Sequence, residues 1–237
     1  MRRMSLRLAT ALLTFCLGVA VTIIFSINRI ESTGTPTVEV TLQEPFTPVA
    51  TECYPGRSLE TTTLDQQSFF PPKVLAQDQP GNQFRTEWYS KHLRAMHEEP
   101  LYSADDGSLE SYRFLWLRSF NHPVAVRIWK CGSVRFISVK ELDGAGGYEP
   151  GKLKLDRKRE LTPDEWREFM RHLDDSCYWQ LPTREDDAGL DGAQWIFEGV
   201  KGGRYHVVDR WSPESGSYRE LCLYVLKLSG LIKVDLA

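Results

Sequence analysis

Between Ala193 and Trp211 apolar positions alternate with polar ones on either side of Lys201-Gly202-Gly203. A period of two predicts a pair of strands, and glycine supplies the positive φ that a tight hairpin turn needs. Ala193, Trp195 and Phe197 then share one face of the first strand. Tyr205, Val207 and Trp211 share one face of the return strand. Upstream, Tyr112 to Phe120 is apolar on both faces, the pattern of a central strand. Asn121-His122-Pro123 breaks it. Val124–Lys130 and Val134–Lys140 predict a second hairpin across Cys131-Gly132-Ser133. Leu153 to Arg157 predicts one more strand after the glycine-rich stretch Asp143 to Gly151.

Helical spacing appears in three places. Thr162-Pro163-Asp164-Glu165 reads as a helix start: Thr162 caps free amides, Pro163 suits the first helical position, and Glu165 completes a capping box. Trp166, Phe169, Leu173 and Cys177 follow as an apolar stripe. A last helix, Tyr218 to about Ser229, turns Leu221, Cys222, Val225 and Leu228 inward. A short helix is expected near 83–97, with Phe84, Trp88, Tyr89 and Met96 at roughly helical spacing and Pro100 stopping it. From 109 onward the order is strand, hairpin, strand, helix, hairpin, helix, without a βαβ crossover. This predicts an α+β fold in which an antiparallel sheet of hairpins is backed by two helices.

From Tyr112 to Leu231 this order resembles families of small uncharacterised domains in bacterial exported proteins and lipoproteins. A strand pair, a glycine-rich turn followed by a helix, and a final hairpin and helix recur in them. The resemblance implies an exported α+β domain and no established activity.

The amino terminus changes the picture most. Residues 8–27 carry no charge, and twenty helical residues at about 1.5 Å each span the roughly 30 Å of a bilayer's hydrocarbon core. Arg2, Arg3 and Arg7 precede the segment and Arg29 follows it. The positive-inside rule keeps the amino terminus cytoplasmic and sends the rest of the chain across. The expected organisation is a transmembrane signal anchor over 1–30, a Pro/Thr-rich spacer over 31–108, and an extracytoplasmic domain over 109–237. The competing reading is secretion after signal-peptide cleavage at Gly18-Val19-Ala20. Within the spacer, Phe69-Phe70 is expected to dock onto the folded body.

Charge excludes one class of partner. Removing Arg2, Arg3 and Arg7 from the 29 basic residues leaves 26 against 32 acidic ones, a balance of −6. Such a body offers no clustered basic face for nucleic acid, and the run Lys152 to Arg159 reads as a solvated strand face. Cys53, Cys131, Cys177 and Cys222 allow three two-bridge connectivities in an exported domain, Cys177–Cys222 among them.

Candidate chemistry is sparse. Asp143 to Gly147 lacks the spacing and the following Lys-Ser/Thr of a phosphate loop. His206 and Asp209, three apart on a strand, point to opposite faces, so His206 would need His122 or a distant carboxylate to serve as a general base. Pairing of Cys131 with His122 has no activating motif. Glu185, Asp186, Asp187 and Asp191 crowd one loop without the spacing of a calcium loop, and the three aspartates stand as weak calcium ligands. Trp129, Trp195 and Trp211 are candidates for a recognition patch or for core packing. No cofactor is expected. The sequence reading is a membrane-anchored extracytoplasmic module that binds an envelope protein or a small ligand. The alternatives are an envelope hydrolase using a histidine and a carboxylate, and a purely structural spacer domain.

Overall fold

Glycine dictates the shape of the hairpin that dominates the sequence. In the computed structural model Gly202 and Gly203 have φ of +56° and +77°. Two consecutive positive φ values close a two-residue turn whose twist suits the flanking strands. The structure describes residues 68–75, 82–102, 109–185, 189 and 191–231. The segment 8–27 expected to cross the membrane, Cys16, Cys53, Asp186 and Asp187 lie outside the described residues.

Six strands form one antiparallel sheet: β1 Glu110–Arg118, β2 Val124–Cys131, β3 Val134–Leu142, β4 Leu153–Glu160, β5 Ala193–Lys201 and β6 Arg204–Trp211. Their order across the sheet is β4-β3-β2-β1-β5-β6. β1 lies in the interior between β2 and β5, with Phe114 opposite both Val126 and Phe197. The helices are α1 Asn82–Ala95, α2 Pro163–Asp175 and α3 Ser217–Ser229.

Strand alternation sorts the core into two layers. On one face Tyr112, Phe114, Val126, Ile128, Trp195 and Phe197 pack against Phe169 and Leu173 of α2 and Leu221, Cys222 and Val225 of α3. The expected capping box of α2 is present: Thr162 Oγ1 accepts from the Glu165 amide at 3.2 Å, and Glu165 Oε2 accepts from the Thr162 amide at 2.8 Å. On the other face Leu115, Leu117, Ala125, Ile196 and Val207 meet Phe69, Phe70 and Leu75 together with Tyr89, Leu93 and Met96 of α1.

The fold is thus α+β with three described helices rather than a sheet backed by two. Core packing begins well upstream of residue 109. The reason α1 reads weakly in sequence is its composition: Ser90 and His92 are as buried as Tyr89, and Phe84 is exposed.

Both sheet edges are managed. Beside β6, the Asp209 amide donates to Thr183 O at 2.7 Å, and the Arg210 guanidinium donates to Pro182 O at 2.8 Å and Thr183 O at 3.1 Å. The β4 edge carries the basic run, mostly exposed. Charge on an open edge discourages pairing with another chain. Two of its arginines also close α3: Arg157 Nη2 donates to Ser229 O at 2.8 Å and Arg159 Nη2 to Leu228 O at 3.1 Å. Cations there oppose the negative end of the helix dipole.

Two cysteine expectations are corrected. α2 ends at Asp175, and Cys177 leaves its apolar stripe to sit exposed with φ of +49°. Cys177 and Cys222 are both free thiols, so no bridge joins them. Cys222 faces the sheet from α3, where burial pushes its thiol well up. Cys131 is disulfide-bonded, with its partner outside the described residues.

Candidate functional site

Charged side chains gather first in an unexpected place, beneath the carboxyl end of α1. Glu98 projects onto the sheet and meets Arg113 at 3.1 Å, Arg127 at 3.6 Å and Lys140 at 2.9 Å. Arg113 also grips Glu198 through Nε at 2.8 Å and Nη2 at 2.6 Å, and the Tyr205 hydroxyl donates to the same carboxylate at 3.0 Å. All five charged residues are buried. Burial pushes both carboxyls up. At Glu98 three cations outweigh that and hold it below the ordinary range. At Glu198 burial wins against Arg113 and Tyr205, and the carboxyl stays raised. Buried charges need partners of this kind. The arrangement clasps α1 to the sheet.

Asp209 is used similarly. Its carboxylate accepts from the Tyr89 hydroxyl at 3.0 Å and lies 3.9 Å from both Arg85 and Arg184. Burial raises its carboxyl despite these partners.

The opposite character appears at the end of the sheet where β1 turns into β2. Three large hydrophobic side chains are conspicuously exposed: Phe84 at 69%, Phe120 at 66% and Tyr148 at 59%. Tyr148 belongs to the glycine-rich loop 143–151 and Phe120 packs beside it, while Phe84 stands on α1. Phe120 and Tyr148 lie 6.0 Å apart with their rings tilted 34°. Phe84 packs on Trp88 at 5.9 Å, and Trp88 Nε1 donates to Gly146 O at 2.8 Å.

The loop's glycines explain how it sits there. A Cβ on Gly146 would fall 2.7 Å from the backbone of Leu117 and Arg118, and one on Gly147 would fall 2.9 Å from Ser119 O. Only glycine permits that approach. The loop amides are spent holding it: Gly146 donates to Asn121 O at 3.0 Å, Gly147 to Ser119 O at 3.2 Å, Gly144 to Pro150 O at 3.1 Å and Ala145 to Glu149 O at 3.0 Å. None of these four is left to cradle a phosphate.

Arg118, Phe120 and Asn121 form a ridge with a cleft on each side. One cleft, of about 540 Å3, is lined also by Trp116, Trp195, Ser212, Glu214 and Arg219. The other, of about 810 Å3, adds His122, Asp143, Tyr148 and Glu149. Arg118 stacks over the Trp116 ring at 4.1 Å, and Trp116 meets Trp195 edge-on at 5.9 Å. Trp116 Nε1 and Arg118 Nε are buried donors with no acceptor among the described residues. Burial lowers the Arg118 pKa, against the opposing charge of Glu141.

The histidines do not meet. His122 lies in the larger cleft with Nδ1 3.0 Å from Gly144 O. His206 sits opposite Gly199, which sits opposite Tyr112 near the far end of β1. It packs edge-on against Tyr178 at 5.1 Å, and burial lowers its pKa. His206 and Asp209 do face opposite sides of the sheet: one packs beneath Tyr178, the other beneath Tyr89 of α1. Cys131 ends β2 beside the β2–β3 turn, at the opposite end from His122, and is already bonded.

Asp191 is exposed, and no group of three His, Cys, Asp or Glu among the described residues converges on a metal position. Trp129 and Trp195 are buried and Trp211 is half-buried. The exposed aromatic pair is built instead from Phe120 and Tyr148. A usable signal existed for Tyr148: an aromatic residue amid four glycines has no local core to join.

No known protein family, curated protein or solved structure matches the chain.

Proposed function

We propose that this is a single-pass membrane protein whose domain lies outside the cytoplasmic membrane and works by binding. The observation that carries the reading is the exposed ring pair of Phe120 and Tyr148, 6.0 Å apart, beside two clefts. Exposed aromatic surface beside converging polar groups is the usual character of a binding site. The buried charges, by contrast, are consumed in holding α1 to the sheet. The bonded state of Cys131 accords with an oxidising compartment. The uncharged segment 8–27 supplies the anchor.

The test has two parts. Cell fractionation with protease treatment of intact spheroplasts should find the full chain in the membrane with its tagged carboxyl terminus digested; intact chain in the cytosol would end this reading. The detergent-solubilised chain should also be retained on isolated cell envelopes, and Phe120→Ala with Tyr148→Ala should abolish that retention.

A hydrolytic role is the second reading. It has one observation in its favour: His122 shares a cleft with Asp143 and Glu149. His122→Ala would remove any such activity.

A further inference from the structure

We infer that the aromatic end of the sheet takes a saccharide, a chain of pyranose rings laid across the ridge of Arg118, Phe120 and Asn121. The inference rests on the binding reading above and names its ligand class. A pyranose whose substituents are equatorial carries its axial C–H bonds on two flat apolar faces and its hydroxyls around the rim. Such a ligand asks a protein for two things at once: aromatic faces to stack on, and a mixture of donors and acceptors beside them.

Phe120 and Tyr148 supply the faces. They are splayed by 34° and exposed. Aromatic rings contribute apolar area in a fixed orientation. The clefts supply the rim. On one side stand Ser212, Glu214 and Arg219, and on the other His122, Asp143 and Glu149. Hydroxyls both donate and accept, so mixed linings of this kind suit them. Buried donors without acceptors are costly and rare. Two lie here side by side, on Trp116 and Arg118. An oxygen-rich ligand that draws the guanidinium off the indole gives each an acceptor.

Other ligands fit less well. Bound peptides draw on main-chain hydrogen bonds, and the loop amides from Gly144 to Gly147 already point inward. Phosphate and anionic lipid headgroups meet the same lack of free amides, and also the carboxylates of Asp143, Glu149 and Glu214.

The experiment uses the full chain in detergent, sedimented with purified peptidoglycan sacculi and titrated with hexa-N-acetylchitohexaose and cellohexaose. The expected result is co-sedimentation that the soluble oligosaccharides compete away. The Phe120→Ala, Tyr148→Ala double variant should bind at least tenfold more weakly with an unchanged melting curve, because both rings are exposed. If the wild-type chain binds none of these glycans yet holds to envelopes through Phe120 and Tyr148, the saccharide assignment is overturned and the binding reading survives. Binding to vesicles containing phosphatidylglycerol, but not to sacculi, overturns it in the same way. Envelope retention that ignores both substitutions overturns the two together.

Discussion

Arg113 sits in the interior strand β1 with no exposed surface, between Glu98 and Glu198. Its guanidinium also donates to Glu99 O at 2.7 Å. Removing one member of a buried ion network leaves the others uncompensated. Arg113→Met should therefore lower stability by about 3–5 kcal/mol, read from urea unfolding. A loss below 1 kcal/mol would mean that the clasp adds little. Three histidines, His92 fully buried and His172 and His206 partly so, set a pH dependence. Burial holds His92, His172 and His206 below the ordinary 6.5. The unfolded chain then binds more protons near and below that value, so their contribution to stability falls as pH drops below about 6.5. Glu198 and Asp209, raised by burial, contribute in the opposite direction. Comparison of the wild-type chain with His92→Gln separates the two effects. Between pH 7.5 and 5 the variant should lose less stability on acidification than the wild type does.

At the scale of elements, local rules carried furthest where a cap or a turn decides the outcome. The Thr162 capping box and the Gly202-Gly203 turn are where their residues place them. Cys177 shows the limit. Its spacing continued the α2 stripe, yet the helix stops at Asp175 and the chain turns left-handed to bury Tyr178. The glycine-rich loop was legible as a connection, but its close approach to β1 was not. Gly146→Ala should push the loop off Leu117 and Arg118, at a cost of about 1–3 kcal/mol. The same substitution should weaken whatever binds at the ridge, because Trp88 and Asn121 both hold Gly146. Thermal melting and envelope retention, measured on one preparation, report both effects.

For the whole molecule, the decisive fact is that both faces of the sheet are covered, one of them by residues from the segment expected to be a spacer. A chain beginning at residue 109 would expose Leu115, Leu117, Ile196 and Val207 to water and strip Arg113 of Glu98. It should aggregate or melt without a cooperative transition. A chain beginning at Thr47, where the compact unit begins, should melt cooperatively. Equal melting of the two chains would show that the α1 layer is dispensable. The exposed rings, the clefts and the orphaned donors at one end of the sheet are also brought together only at this scale.

Sequence by itself determined the strands, the hairpins and the three helices, α1 included, because period, turn chemistry and caps are properties of neighbouring residues. It also determined that His206 and Asp209 cannot be partners, since alternation separates them. Tertiary structure decided the rest. Tyr89 reaches Asp209 across 120 residues, Arg113 reaches Glu198 across 85, and Trp88 reaches the glycine-rich loop across 58. Pairs so far apart leave no periodic trace in the chain. The α1 layer, the charged clasp and the aromatic end of the sheet are each made of such pairs.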